Sequence, residues 1–280
     1  MRTSVRSLIQ AFVLLTVVSA VCGNVHAQEQ AAGITGAPCA GPSSLLEVID
    51  RPTVSDSVCV VPQGEFVLEA GFQHATLRGP GGGRADNFPQ AAFRVGLPGK
   101  NEFVLLPQDY TEQRVADEDS SGWSPLTIGI KHSLGFRGPW QGAVEALFTL
   151  RSGSRAFGSD GPGVAFNGIA AYSVSEEVGV ALQLGVSSQT DPSSAGGRRF
   201  TAFLSNLVAT WQPVSRLQFY GEIFGQTSSG PGKGAGYNFD GGIQYLITPF
   251  WEIDLGAGVR LIGDLGGFSH FFGAGMGFRF

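Results

Sequence analysis

Phe268-Ser269-His270-Phe271-Phe272-Gly273-Ala274-Gly275-Met276-Gly277-Phe278-Arg279-Phe280 alternates mostly large apolar residues with small or polar ones. Every second residue from Phe268 gives Phe268, His270, Phe272, Ala274, Met276, Phe278 and Phe280. The residues between them are Ser269, Phe271, Gly273, Gly275, Gly277 and Arg279. A period of two with one greasy face and one small or polar face is a β-strand between two different solvents. A strand of this kind closing on a terminal Phe predicts an outer-membrane barrel, with lipid on one side and a lumen on the other. One strand is not enough, so the pattern has to recur along the chain.

It does recur. Twelve segments alternate in this way, at about 65–76, 88–97, 102–110, 124–134, 140–151, 164–174, 177–188, 200–212, 215–227, 235–247, 250–263 and 268–280. Most have the length that a tilted strand needs to cross a membrane. The connections alternate too. Pro98–Asn101, Gly135–Pro139, Ser175-Glu176, Pro213-Val214 and Thr248-Pro249 are short, whereas 77–87, 111–123, 152–163, 189–199 and 228–234 are long. Short turns on one rim and longer loops on the other are the habit of such barrels. The expected fold class is therefore all-β, a transmembrane antiparallel up-and-down β-barrel of about twelve strands with both termini periplasmic. The expected domains are a cleaved signal peptide at 1–27, a periplasmic lead-in or plug at 28–62, and the barrel at 63–280.

Composition points the same way. The chain has 280 residues, of which 42 are Gly and 21 Phe, and only 15% are charged. So much Gly disfavours helices, at about 1 kcal/mol for each interior position relative to Ala. Arg2 and Arg6, the apolar run Leu8–Val21 and Val25-His26-Ala27 form a secretory signal, with Cys22 a poor lipidation site after Val21. Without residues 1–27, 16 Lys and Arg face 23 Asp and Glu, a net charge of −7. An acidic exported chain with no basic patch excludes nucleic acid as a partner. Cys39 and Cys59 are then the remaining cysteines, candidates for a disulfide in an oxidising compartment.

With the greasy faces outward, the inward set holds Glu65, Glu69, Arg94, Glu102, Lys131, Glu145, Arg151, Glu222, Asp240, Glu252, Asp254, Arg260 and Arg279. These residues either line a polar pore or fill a closed interior with ion pairs. Trp123, Trp140, Trp211, Tyr220, Tyr237, Tyr245, Phe250 and Trp251 fall near strand ends, as interfacial girdles do. His132 and His270 fall on lipid faces, where a barrel-type lipid hydrolase would place its base. No nucleophile motif accompanies them, so no catalytic residue is assigned. Asp117-Glu118-Asp119 reads as a solvated charge run; no metal site and no cofactor are expected.

Several of these segments share motifs with one family. Arg51-Pro52-Thr53, Val61-Pro62-Gln63-Gly64, Leu68–Phe72, Phe93–Leu97, Asn101-Glu102-Phe103, Ile128–His132, Tyr220-Gly221-Glu222, Gly241–Tyr245, Ile253–Gly258 and Gly275–Phe280 carry the likeness. Over roughly residues 50–280 the chain resembles the outer-membrane barrel family of the MetA pathway of phenol degradation. The resemblance implies a channel or transporter in the outer membrane of a Gram-negative bacterium, for small and aromatic or hydrophobic solutes. Arg94, Glu102, Lys131, Glu222 and Asp254 lie in the matching motifs and face inward, and form the candidate solute pathway. The expected partners are outer-membrane lipid and lipopolysaccharide, the barrel-assembly machinery through the Phe280 strand, and a small-molecule solute. A closed structural or adhesive barrel is the alternative.

Overall fold

The computed structural model describes residues 39–280, apart from positions 42, 80 and 117. The signal peptide expected at 1–27 lies outside the described residues. A short helix, α1 (Ser44–Val48), precedes fifteen strands: β1 (Phe66–Leu77), β2 (Gly83–Phe88), β3 (Ala92–Leu97), β4 (Asn101–Leu106), β5 (Tyr110–Val115), β6 (Glu118–Trp123), β7 (Thr127–Arg137) and β8 (Trp140–Thr149). The rest are β9 (Gly163–Ser173), β10 (Val178–Thr190), β11 (Arg199–Val214), β12 (Leu217–Gln226), β13 (Gly236–Thr248), β14 (Trp251–Ile262) and β15 (Phe268–Arg279). No described helix is long and apolar enough to cross a membrane.

All the strand pairs are antiparallel, and β15 returns to β1 with Val67 opposite Arg279 and Phe72 opposite Ala274. Phe66 N–H donates to the Phe280 carbonyl at 3.1 Å and Phe280 N–H to that of Phe66 at 2.9 Å, so the sheet closes at its first and last residues. Closure of the first strand on the last is what hydrocarbon requires of a sheet; among the described strands the short β6 alone keeps a free edge, since it pairs only with β5. The lower part of β1 pairs with β3 and its upper part with β2, while β3 pairs with β4, β2 with β5, β4 with β7 and β5 with β6. Each of β2/β3, β4/β5 and β6/β7 is thus one interrupted strand, and the fifteen pieces fill twelve positions in the ring.

This corrects three boundaries. Residues 77–87 and 111–123, expected as loops, supply β2, β5 and β6. They escape an alternation reading because Arg84, Asp86, Glu112, Arg114, Glu118 and Asp119 give them no greasy face. Segments 88–97, 102–110 and 124–134 in turn each contain a break rather than one continuous strand.

The outer surface is apolar. Phe93, Phe103, Ile130, Phe148, Phe166, Leu184, Phe203, Leu207, Leu255 and Phe272 are all exposed. Aromatic pairs mark the rims: Trp140 with Tyr172, Trp211 with Phe219 and Trp251 with Phe278 near the short turns, and Phe88–Tyr110–Trp123 toward the long loops. Tyr220, expected in a girdle, is buried in the lumen instead, since it shares the inward parity of Glu222. Arg151, expected inward, lies beyond the end of β8 and pairs with Asp160 at 3.4 Å.

Residues 43–62 run inside the barrel. Leu45, Leu46 and Val48 of α1 join Cys59 and Val61, and close a small apolar core against Val67 of β1 and Leu246 of β13. Full burial of each Leu or Val side chain contributes about 1.5–3 kcal/mol. Cys39 and Cys59 are bonded, S–S 2.03 Å, tying the two ends of this core together.

Candidate functional site: a filled lumen beneath an interrupted wall

The two-residue period of the strands turns Glu69, Arg94, Glu102, Lys131, Glu145, Glu222, Asp240, Glu252 and Asp254 to the interior, and all nine are buried. Most of them meet the inner segment. Its irregular backbone has N–H groups that no sheet satisfies, and a buried N–H needs an acceptor. The wall carboxylates provide them. Glu69 accepts from the N–H of Asp50 at 3.2 Å and of Arg51 at 2.9 Å. Glu102 accepts from Val61 at 2.6 Å, and Glu222 from Val54 at 2.7 Å, from Ser55 at 2.8 Å and from the Ser55 hydroxyl.

The cations complete the seat. Arg94 donates from Nε and Nη2 to the two oxygens of Glu102, at 2.7 and 3.1 Å, and from Nη1 to Glu69 at 3.0 Å and to the Val48 carbonyl. Lys131 reaches Asp50 at 3.4 Å, and Arg51 crosses to Asp254 at 3.3 Å. Gln183 receives the Asp56 N–H at 2.7 Å and returns a bond to its carboxylate at 2.9 Å. All five residues singled out from the sequence therefore contact the inner segment. Glu69, Gln183, Arg51, Ser55 and Asp56 act with them and were not singled out. Gln183 carries an inward parity but no charge, and Arg51 was read only as part of a motif.

Glycine shapes the wall to the same segment. A Cβ at Gly96 would collide with the backbone carbonyl oxygen of Pro62, and one at Gly71 or Gly275 with the Arg51 guanidinium. The segment and the wall are cut to one another.

Above the segment lies a cavity of about 390 Å³. Its floor is the turn Arg51–Val54, and Asp240, Gly256 and Phe271 line it on one side. On the opposite side it reaches Gln90, Ala91, Pro107, Asp109, Ser124 and Pro125, which are the breaks in three neighbouring strands. Each break holds a proline (Pro89, Pro107 or Pro125), which has no N–H to give to a ladder. The register is unchanged across the widest break: Phe93 faces Leu105 below it and Phe88 faces Tyr110 above it. No residue of 89–91 pairs with any of 107–109. Between β5 and β6 the break is partly bridged, with Ser124 N–H on the Asp109 carbonyl at 2.8 Å and Asp109 N–H on the Ser124 hydroxyl at 2.8 Å. A second cavity of about 120 Å³ lies between the segment and β8–β13, and both cavities are lined by Arg51, Thr53 and Asp56.

The histidines stand apart from all this. His132 pairs with Asn101 at 2.9 Å, and His270 with Thr76 at 3.0 Å and Ser269 at 3.1 Å. Among the described residues no cluster of His, Cys, Asp or Glu could hold a metal ion. Asp119 lies beside Arg114 at 3.7 Å.

No curated protein sequence matches the chain. Among solved structures, the COG4313 outer membrane channel from Pseudomonas putida F1 superposes with a TM-score of 0.63 at 12% identity, over 81% of this chain and 100% of that one. The KdgM porin in complex with disordered oligogalacturonate gives 0.51 at 10% identity, over 76% and 99%. The NanC porin gives 0.50 at 9%, over 76% and 98%. At such identities these likenesses speak for the barrel fold alone. The family model described as "Putative MetA-pathway of phenol degradation" matches residues 49–280, from the inner segment to the closing strand, and the chain belongs to that family.

Proposed function

We propose that the protein is a passive channel for small aromatic or apolar solutes in the outer membrane of a Gram-negative bacterium, and that solutes reach the lumen through the interrupted wall. The observation that carries this reading is the cavity joining the breaks of β2/β3, β4/β5 and β6/β7 to the lumen above a seated inner segment. Backbone without ladder bonds is tolerated at membrane depth where it is covered by protein or borders a water-filled cavity. Here it borders a cavity. On its lipid side the gap is flanked by Phe88, Tyr110 and Trp123 above and by Phe93, Leu105 and Ile128 below, an apolar approach for a solute dissolved in the membrane.

In this reading residues 43–62 are a plug, the short-turn rim and both barrel ends are periplasmic, and the β15 strand ending at Phe280 engages the assembly machinery. Lipid and lipopolysaccharide surround the apolar belt. In this reading the barrel conducts rather than catalyses, since the lipid-facing His132 and His270 have amide and hydroxyl neighbours rather than the carboxylate that would orient a base. Beyond the plug, a solute has to pass the turn shared by the two cavities, at Arg51, Thr53 and Asp56.

The test is uptake of phenol into vesicles with a lipopolysaccharide outer leaflet. Wild-type protein should raise the rate. The triple variant Pro89→Thr/Pro107→Thr/Pro125→Thr, which restores three ladder donors, should bring it back to that of protein-free vesicles. Equal rates with and without wild-type protein, its barrel fold confirmed by heat-dependent gel mobility, would instead support a closed structural or adhesive barrel.

A further inference from the structure

The interior acids divide into those with partners and those without. Asp50 and Glu69 have Arg94, Asp254 has Arg51, and Glu102 and Glu222 hold backbone N–H groups of the inner segment. Asp240 and Glu252 differ. Both are fully buried, and no carboxylate oxygen of either has a hydrogen-bond partner among the described residues. Of the two, Asp240 lines the 390 Å³ cavity. One oxygen of Asp109, on the rim of the break, is buried and unpartnered as well, and lines the same cavity.

The two acids stand on opposite sides of the space. Asp109 precedes β5, in the third position of the ring, and Asp240 is on β13, in the tenth. Between them the wall mixes apolar side chains, Pro52, Val54, Ala92, Leu106, Pro125 and Phe271, with polar ones, among which the acids Asp50, Asp56 and Glu69 already have partners. Arg51 is its one basic lining residue among those described, and it is already held by Asp254. Asp240 also faces Glu222 directly across the β12–β13 ladder, and like charges placed opposite one another are unfavourable. A buried carboxylate in that position calls for a proton or a cation.

We propose that this cavity is a binding site for an organic cation, a protonated amine on an apolar body, with the ammonium hydrogen-bonded to Asp240 and Asp109 serving as the acid it meets first at the wall break. The amine supplies the donors that Asp240 lacks, and the apolar walls accept the rest of the solute. Charge-assisted bonds to a carboxylate in a low-dielectric site are the strong class of hydrogen bond. A neutral alcohol of the same shape offers one weaker donor. The inference rests on the passage proposed above and names the class of solute that the passage favours.

The experiment compares 2-phenylethylamine with 2-phenylethanol, which share a body and differ in charge at neutral pH. Binding to the purified, folded protein is measured by calorimetry at pH 7, alongside uptake into the same lipopolysaccharide vesicles. The amine should bind about tenfold more tightly than the alcohol. Asp240→Asn, which keeps the shape, should remove most of that preference and leave the alcohol unchanged, and Asp109→Asn should slow uptake of the amine more than it weakens binding. Equal binding of the two probes to wild type, as a proton shared between Glu222 and Asp240 would give, overturns the amine site and leaves the passage standing. A preference that survives in Asp240→Asn with the barrel folded also overturns it. If neither probe binds or enters, both proposals fall.

Discussion

Two arcs of one wall differ sharply. From β8 round to β1 no strand is cut, and β9 and β10 are paired over ten or more residues on each side. From β2 to β7 every strand is cut near mid-height, and the lower pieces β3 and β4 are only six residues long. The intact arc is held by backbone hydrogen bonds and needs little from within. The cut arc has Arg94, Glu102 and Lys131 on the inward faces of its short lower strands, knitted to each other and to the inner segment. Where the ladder is given up, charge from the lumen takes over the bracing. A barrel can thus open its wall, provided that the interior behind the opening is built to hold it.

Arg94→Met probes that difference most strongly. It leaves Glu69 buried without its cation and Glu102 with Lys131 at 3.9 Å, a loss of about 3–5 kcal/mol when one partner of a buried pair is removed. Protease sensitivity should appear in the inner segment and at 89–109 while β9–β11 stay protected, which limited proteolysis in detergent would show. Leu184→Pro makes the converse cut in the intact arc, where Leu184 sits opposite both Gly168 and Ser205. A proline in a central strand removes a ladder hydrogen bond, which sheets give up only at edges or bulges, and Leu184 has ladder neighbours on both sides. Failure to gain heat-modifiable mobility on a gel is the expected outcome, whereas Pro89, Pro107 and Pro125 are tolerated together.

Loss of the Cys39–Cys59 bond in Cys39→Ser/Cys59→Ser releases a loop with a sequence separation of 20 residues. Loops of that length contribute about 3 kcal/mol in the chain-entropy account. The segment should exchange its amides faster and ion conductance in planar bilayers should rise, with barrel melting little changed. The triple Pro→Thr variant has the smallest net effect on stability: three net hydrogen bonds favour folding by about 1.5–4.5 kcal/mol, and the freer unfolded chain offsets about 0.4–1 kcal/mol of that at each position. A scan of thermal unfolding would register that gain beside the loss of phenol uptake. If stability rises and uptake is unaltered, the cut arc is an irregularity rather than a passage.

The intact arc was readable almost in full from alternation, because lipid on one face and lumen on the other imprint a period of two on Val178–Val186 or Trp251–Leu261. The cut arc was not. Its prolines were visible, yet their shared height becomes apparent only once the strands are placed side by side. β2 and β5 carry charge on one face and small or polar residues on the other, and β6 carries charge on both, so period-two hydrophobicity has nothing to mark. Within the lumen, parity was enough to turn Arg94, Glu102, Lys131, Glu222 and Asp254 inward. It could not show that they hold residues 43–62, because that contact depends on an irregular segment with no period of its own. Gly71, Gly96 and Gly275 were legible only as small residues, and their purpose as a mould for Arg51 and Pro62 lies in three dimensions.

Whether the wall is open between β2/β3 and β4/β5 can be read from amide exchange, resolved residue by residue in lipid nanodiscs. The amide of Gln108, which has no ladder partner, should exchange about a hundredfold faster than those of Gly168, Gln183 and Ser205, because water in the cavity reaches it without unfolding of the ladder. Protection at Gln108 equal to that of β9–β11 would mean that the strands close there in a membrane, and would contradict an open wall.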